Sequence, residues 1–246
     1  MTDAPTSELK IGIFETEIKN RFLCSVCVNG ETVTCYIPSS CRLSNFIDMK
    51  GRAVLLKPNV NSKARTAYSV YAVRCGRRFI PVTLAQVNSV VAAAINKRCF
   101  SFLGKRQHII REHKIGNYKS DVYIVDTKTM IEVKSILSLE KEALFPSVYS
   151  ERAINQLKEI SSLIDAGFRA CYVLVSLNCE VEKVAINRSI TDYYESFLAC
   201  VNKGMMFCAV FVKRKCEQKG PKKVSTFSTR FHVVSNVFPK YQMLTF

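Results

Sequence analysis

Between Leu9 and Cys75, apolar and polar positions alternate in short runs broken by turn signals. Leu9 to Phe14, Phe22 to Val28, Thr32 to Ile37, Ala53 to Lys57 and Ala67 to Cys75 read as five strands, rich in β-branched and aromatic residues. Asn29-Gly30, between the second and third, is a two-residue hairpin turn whose residues both tolerate positive φ. Five short strands in this span fit an OB-like β-barrel. From Thr83 the period changes. Leu84, Val87, Val90, Val91, Ala94 and Ile95 repeat at helical spacing behind Thr83 as N-cap. Two strand-like runs follow, Lys119 to Val125 and Thr129 to Ser135, around the turn Asp126-Thr127-Lys128. Ser150 then caps a helix running to Ala166, with Ala153, Leu157, Ile160 and Ile164 on one face and Gly167 as its stop. Ala170 to Leu177 and Met205 to Val212 read as buried strands on either side of a helix from Asp192 to Lys203. The pattern predicts an OB-like barrel over 1–82, then an α/β domain with a mixed sheet over 83–246 that ends in a basic extension.

One hairpin of the second domain carries candidate chemistry. With a two- or four-residue loop, Asp121 sits opposite Lys134 and diagonal to Glu132, all on one face, with Ile131 and Val133 on the other. A three-residue loop puts Asp121 opposite Val133 and breaks the set. Diagonal Cβ atoms lie about 7–8 Å apart, and Mg²⁺ takes carboxylate oxygens at about 2.0–2.1 Å. Asp121 and Glu132 are therefore expected to share one Mg²⁺ or Mn²⁺. Such an ion lowers the pKa of a bound water and neutralises charge on a scissile phosphate. Lys134 would orient that water or stabilise the charged transition state. The competing reading is a half-exposed strand that alternates charged-out and apolar-in. If Ile109 to Lys114 is a strand, Ile110 and Glu112 share one face, Arg111 and His113 the other. His113 is either a general base or, more simply, a solvent-facing side chain. Gln156, one turn beyond Arg152, either faces the site or lies in solvent, the plainer reading.

The segments Glu132-Val133-Lys134-Ser135, Ala143-Leu144-Phe145-Pro146 and Ser150-Glu151-Arg152 closely resemble the sugar fermentation stimulation protein A family, which has Val-Glu-Val-Lys-Ser, Ala-Leu-Phe-Pro-Asp and Thr-x-Arg-Gly. Tyr36-Ile37-Pro38 with Arg42-Leu43, and Arg65 with Tyr68, extend the resemblance over roughly residues 10–212. It implies an N-terminal OB-like barrel associated with DNA binding and a C-terminal domain of the PD-(D/E)XK nuclease fold. The family's acidic and basic positions fall on Asp121, Glu132 and Lys134, with Glu112 as an additional acid. Ser39-Ser40-Cys41 replaces Asn-Thr-Gly, Ser147 replaces the Asp after Phe-Pro, and Ala153 replaces the Gly after Arg152. Between Val82 and Asn88 the family's Asp-Thr is missing, although Asn88 remains. The implied function is a divalent-metal-dependent nuclease that binds DNA. The alternative is a non-catalytic DNA-binding regulator on a nuclease-derived scaffold.

Charge agrees with a nucleic-acid partner, DNA ahead of RNA. The formal net charge is +16. Residues 1–82 carry twelve Lys and Arg against six Asp and Glu, residues 83–212 sixteen against thirteen, and residues 213–230 seven against one. A basic barrel and a basic tail would gain affinity for phosphates by counterion release. On the barrel, Tyr36, Phe46, Tyr68 and Tyr71 are candidate stacking aromatics, with barrel core as the alternative. Arg21, Arg42, Lys63 and Arg65 are candidate phosphate contacts. Arg152 joins them from the second domain. The tail's Lys213-Arg214-Lys215, Lys219 and Lys222-Lys223 suit a nucleic-acid arm, a nuclear localisation signal or a solubilising loop. Phe227, Phe231, Val233-Val234 and Val237-Phe238 imply that the end packs back onto the body. No membrane partner is expected, and a homodimer is left open. Residues 1–10 carry Asp3, Pro5 and Glu8, unlike a secretory signal. Eleven cysteines without such a signal point to reduced thiols in an intracellular compartment, cytoplasm or nucleus. The one C-x-x-C, Cys24 and Cys27, has no second ligand pair, so all eleven read as structural.

Overall fold

A computed structural model describes residues 9–18, 22–39, 42–61, 63–82, 87–178, 180–218 and 225–234, with side chains up to residue 212. The expectations for Arg21, the Thr83 cap, Lys219, Lys222, Lys223, Val237 and Phe238 lie outside the described residues. The chain divides into two units, one drawn from Met1–Gln86, Leu137–Leu139 and Arg214–Arg230, the other from Val87–Ile136, Glu140–Lys213 and Phe231–Phe246.

The first unit holds β1 (Lys10–Glu17), β2 (Leu23–Val28), β3 (Glu31–Tyr36), β4 (Ala53–Pro58), β5 (Tyr68–Cys75) and β6 (Arg78–Pro81). Their order is β3-β2-β1-β4-β5-β6, and a parallel pairing of β3 with β5 closes the first five into a barrel. The β2–β3 turn is the expected one, with Asn29 at φ 53 and Gly30 at φ 87, flanked by the pair Val28 and Glu31. Phe14, Val26, Ile37, Leu43, Leu56 and Val70 fill the interior. A Cβ at Gly12 would stand 2.5 Å from Val26 Cγ1 and 2.9 Å from the Cys27 carbonyl, so only glycine fits this crossing. Cys24 and Cys35 are register partners inside the barrel; burial pushes their thiols up to about 12 and about 11. Cys24 is buried and Cys27 half-buried, as strand alternation requires. The short β6 lay below the reach of periodicity, because Arg78 and Pro81 leave it only two uninterrupted apolar positions.

The second unit begins with α1 (Val87–Ala94). It continues through β7 (Ile109–Ile115), β8 (Tyr118–Ile124), β9 (Thr129–Ile136), β10 (Glu142–Phe145), α2 (Glu151–Asp165), β11 (Arg169–Ser176), β12 (Lys183–Ile186) and α3 (Thr191–Asn202). β13 (Met206–Gln218) and β14 (Ser225–Val234) complete the described elements. Six strands form one sheet in the order β14-β13-β11-β9-β8-β7. β9, β11 and β13 run parallel, β7 to β9 antiparallel, which is the mixed sheet expected. β10 and β12 form a separate parallel pair. The tail differs from a loop beyond the last strand: β13 continues through Lys213, Arg214 and Lys215, and β14 joins the sheet beside it. Ser150 caps α2 as read, its hydroxyl accepting from Ala153 N at 3.3 Å. α2 buries Ile154, Leu157 and Ile160, each contributing roughly 1.5–3 kcal/mol. Gly167, at φ 88, ends it. Among the described residues no helix is long and apolar enough to cross a membrane.

Candidate active site

The β8–β9 hairpin sets the geometry, in a register the sequence did not give. Val125–Thr127 make a 3₁₀ turn and Lys128 is left-handed at φ 49, so the connection takes four residues and Ile124 pairs with Thr129. Regular pairing stops at Val122 and Ile131. Asp121 is therefore not opposite Lys134. Beyond that point the side chains of β8 replace its backbone. Ser120 Oγ accepts from Ile131 N at 3.2 Å while its own proton goes to the Val122 carbonyl at 2.6 Å, and Asp121 Oδ2 accepts from Val133 N at 2.8 Å. The strands part here, and a carboxylate fills the fork.

Three elements hold the charged groups. Asp121 Oδ1 accepts from Asn88 Nδ2, on α1, at 2.6 Å. Glu132 is 3% exposed. Its Oε2 accepts from the buried Tyr118 hydroxyl at 2.6 Å, and its Oε1 meets Lys134 Nζ at 2.6 Å. Lys134 Nζ also donates to Gln156 Oε1, on α2, at 2.7 Å. Gln156 thus faces the site, against the plainer reading of it as solvent-facing. Arg152 is exposed one turn earlier, on the same side of α2. Burial first, and the Glu132 charge second, push the Asp121 carboxyl from 3.8 up to about 6, against the lowering pull of Val133 N and Lys134. Burial and the Glu132 charge likewise raise the Tyr118 hydroxyl. Behind Glu132, Tyr172 is its register partner on β11 and accepts from the Tyr193 hydroxyl at 3.1 Å.

Glu112 departs from the expected alternation. It sits in the left-handed region at φ 55, a conformation that costs a non-glycine residue about 1–3 kcal/mol. The ladder skips it and resumes with His113 beside Ser120. Its carboxylate pairs with Lys119 Nζ and reaches Asp121 only through its charge. The turn of backbone brings His113 onto the Tyr123 ring at 4.5 Å, so His113 is stacked rather than solvent-facing. Arg111 donates to Ser89 Oγ at 3.0 Å. No group of three or more His, Cys, Asp and Glu among the described residues could hold a metal by itself, so Asp121 and Glu132 remain a two-carboxylate set.

On the barrel, Arg42 and Arg65 are exposed. Arg42 precedes a short 3₁₀ turn, Leu43–Asn45, which Glu17 anchors by accepting from Leu43 N at 2.6 Å and Ser44 Oγ at 2.6 Å. Tyr68 is half-buried under Lys10, whose ammonium stands 5.1 Å from the ring centre. Tyr36 is 38% exposed and stacks on Phe22, while Phe46 packs against the barrel core. Tyr118 was not singled out in the sequence: it lies three residues from Asp121, where strand alternation assigns it the opposite face.

Residues 85–218 match the family described as the sugar fermentation stimulation protein RE domain, and residues 18–82 match the SfsA N-terminal OB domain. A sugar fermentation stimulation protein homolog of Desulfitobacterium hafniense is 31% identical over 160 residues, 63% of this chain and 68% of that protein. One from Thermotoga neapolitana is 31% identical over 204 residues, 82% of this chain and 87% of its own length. The structure of Pyrococcus furiosus SfsA in complex with Ca²⁺ superposes with a TM-score of 0.72 at 20% identity, covering 93% of this chain and 94% of that one. At that identity the likeness is one of fold.

Proposed function

The chain belongs to the sugar fermentation stimulation protein family, and from that premise we propose that it binds nucleic acid, DNA ahead of RNA, and hydrolyses phosphodiester bonds with a Mg²⁺ or Mn²⁺ ion held by Asp121 and Glu132. The observation that carries this reading is the forced proximity of the two carboxylates. Asp121 holds its proton up to about 6 because it is buried beside Glu132, and a divalent cation relieves that repulsion more completely than a proton. The donors fit such an ion: they are hard oxygens, and each keeps a lone pair beyond the one engaged with the protein. The Ca²⁺ bound in the Pyrococcus furiosus relative supports the same reading. When bound, the ion supplies a water of lowered pKa and neutralises charge on the phosphate.

The chain's own residues do the rest. Asn88 and Val133 N fix Asp121, and Tyr118 fixes Glu132. Lys134, steadied by Gln156, puts a positive charge where the transition state develops its negative charge. Arg152, from the same face of α2, offers a phosphate a two-pronged contact. Arg42, Arg65 and Tyr68, with Arg21, draw the strand onto the barrel. A second reading, a DNA-binding regulator without turnover, is favoured by one observation. Glu132 already has Tyr118 and Lys134 on its two oxygens, so an ion must displace or share them.

Labelled single- and double-stranded DNA and RNA, incubated with Mg²⁺, Mn²⁺ or EDTA, separate the two. The wild type should cut one of these only with metal, and Lys134→Ala should lower that rate by about 100-fold or more, the scale of losing one preorganised transition-state contact. Salt-sensitive binding without cutting by either protein would leave the regulator.

A further inference from the structure

The barrel's charge is divided between its two sides. No Asp or Glu occurs between Asp48 and Glu112. β4, β5, β6 and their two connections fall wholly inside that stretch and carry Lys57, Lys63, Arg65, Arg74, Arg77 and Arg78, all exposed. β1 to β3 with their two connections, in contrast, carry Glu15, Glu17 and Glu31 against Lys10, Lys19 and Arg21, a balance of charge rather than an excess. Glu15 and Glu17 take hydrogen bonds from within the barrel, from Thr32 and from Leu43 and Ser44, so their charge stays on that side.

The basic residues gather at the two ends of β5. Lys57, Lys63 and Arg65 belong to the β4–β5 end, and Arg74, Arg77 and Arg78 to the β5–β6 end. The eight residues of β5 hold these ends apart by roughly 23 Å at about 3.3 Å per residue. That distance is about seven phosphate steps along one strand of a duplex. Both ends are braced before any partner arrives. Asn59 donates to the Thr66 carbonyl at 2.9 Å and to Thr66 Oγ1 at 3.0 Å, and its backbone N–H donates to the Ala67 carbonyl at 2.9 Å. At the other end Arg74 Nε donates to the Gly76 carbonyl at 3.2 Å. A braced loop loses less entropy when it closes on a ligand.

We propose that the β4–β5–β6 side of the barrel is the main surface along which a nucleic-acid backbone lies, with the two basic ends of β5 gripping phosphates. Opposite charge, the repeat of phosphates along the spacing, and the absence of any carboxylate on these elements all favour a polyphosphate over a protein partner. The inference rests on the nucleic-acid reading above and adds the face, the residues and the line along β5 that the backbone follows.

The test uses the full chain and a short labelled DNA duplex, with fluorescence anisotropy recorded between about 50 and 200 mM salt. One variant carries Lys63→Gln, Arg65→Gln, Arg74→Gln and Arg77→Gln. A control neutralises four exposed lysines of the second unit, by Lys141→Gln, Lys158→Gln, Lys183→Gln and Lys203→Gln. Circular dichroism melts confirm that both fold. The barrel variant should lose at least about tenfold in affinity, with the slope of log K against log salt flatter by about 3.6, as four lost phosphate contacts require. The control should stay within about twofold. Equal losses in both variants, or none in either, would overturn the assigned face while leaving nucleic-acid binding standing. A wild type that binds no duplex would remove the nucleic-acid reading itself. Binding to phosphatidylserine vesicles in preference to the duplex, lost in the barrel variant, would make this a membrane-facing surface and overturn the proposal.

Discussion

Glu132 is a carboxylate in the interior whose hydrogen bonds come from one hydroxyl and one ammonium. Removing a partner from a buried polar group costs its unrepaid desolvation, about 1–3 kcal/mol. Tyr118→Phe keeps the ring and deletes the donor, so urea unfolding should show a loss of about 2 kcal/mol with an unchanged m-value; a change below about 0.5 kcal/mol would mean that water or Lys134 replaces the hydroxyl. Asp121 gives a pH signature of definite sign. Its carboxyl binds its proton more tightly in the folded chain than at the ordinary value of 3.8. Its contribution to stability is therefore complete below about pH 4 and is lost as pH rises through about 6. Asp121→Asn cannot ionise, and Asn88 can turn its amide to accept from it. In EDTA at pH 7.5 the variant should be more stable than wild type by about 1–2 kcal/mol, discounted for partial exposure. The advantage should vanish by pH 4. An advantage that persists there would assign it to packing rather than to charge.

At the scale of elements, the site depends on α2 for Gln156 and Arg152, and α2 depends on its cap. Ser150→Ala removes the acceptor of the Ala153 N–H, which should cost about 1 kcal/mol in chemical unfolding. A loss under a few tenths would show that the first turn is held by packing alone. This helix was legible to its ends, since a capping serine, an apolar face and a stopping glycine are local signals. The β8–β9 register was not. Strand periodicity gave the face shared by Asp121, Glu132 and Lys134, but the register depended on Val125 entering the turn and on Ser120 and Asp121 replacing backbone with side chain. Glu112 was misread for a related reason: alternation assumes extended backbone, and one left-handed residue reverses it. Tyr118 and Gln156 meet their partners across 14 and 22 residues, beyond any local pattern.

For the whole molecule, the barrel and the mixed sheet were both legible, because strand-length and helix-length periods change over near Thr83 and the turn residues mark each strand. What composition could not place was the distribution of charge. A net +16 is the same number whether spread evenly or confined; only the strand order gathers the acid-free stretch onto one side of the barrel. The described cysteines agree with the structural reading. Those described are free, and burial holds Cys24 and Cys35 in the thiol form, which is the unreactive one.

The fork where β8 parts from β9 also bears on the order in which the site can come into being. Asp121 and Glu132 belong to one hairpin, closed by a four-residue connection, and such hairpins form in about 1–10 μs. Gln156 reaches Lys134 only once α2 has crossed over to place β11 parallel to β9, a slower event because a longer loop must close first. The two carboxylates are thus brought together early, and the lysine is steadied late. In the interval the folding chain holds a paired negative charge answered from within the hairpin only by Tyr118, Lys134 and the Val133 N–H, together with solvent.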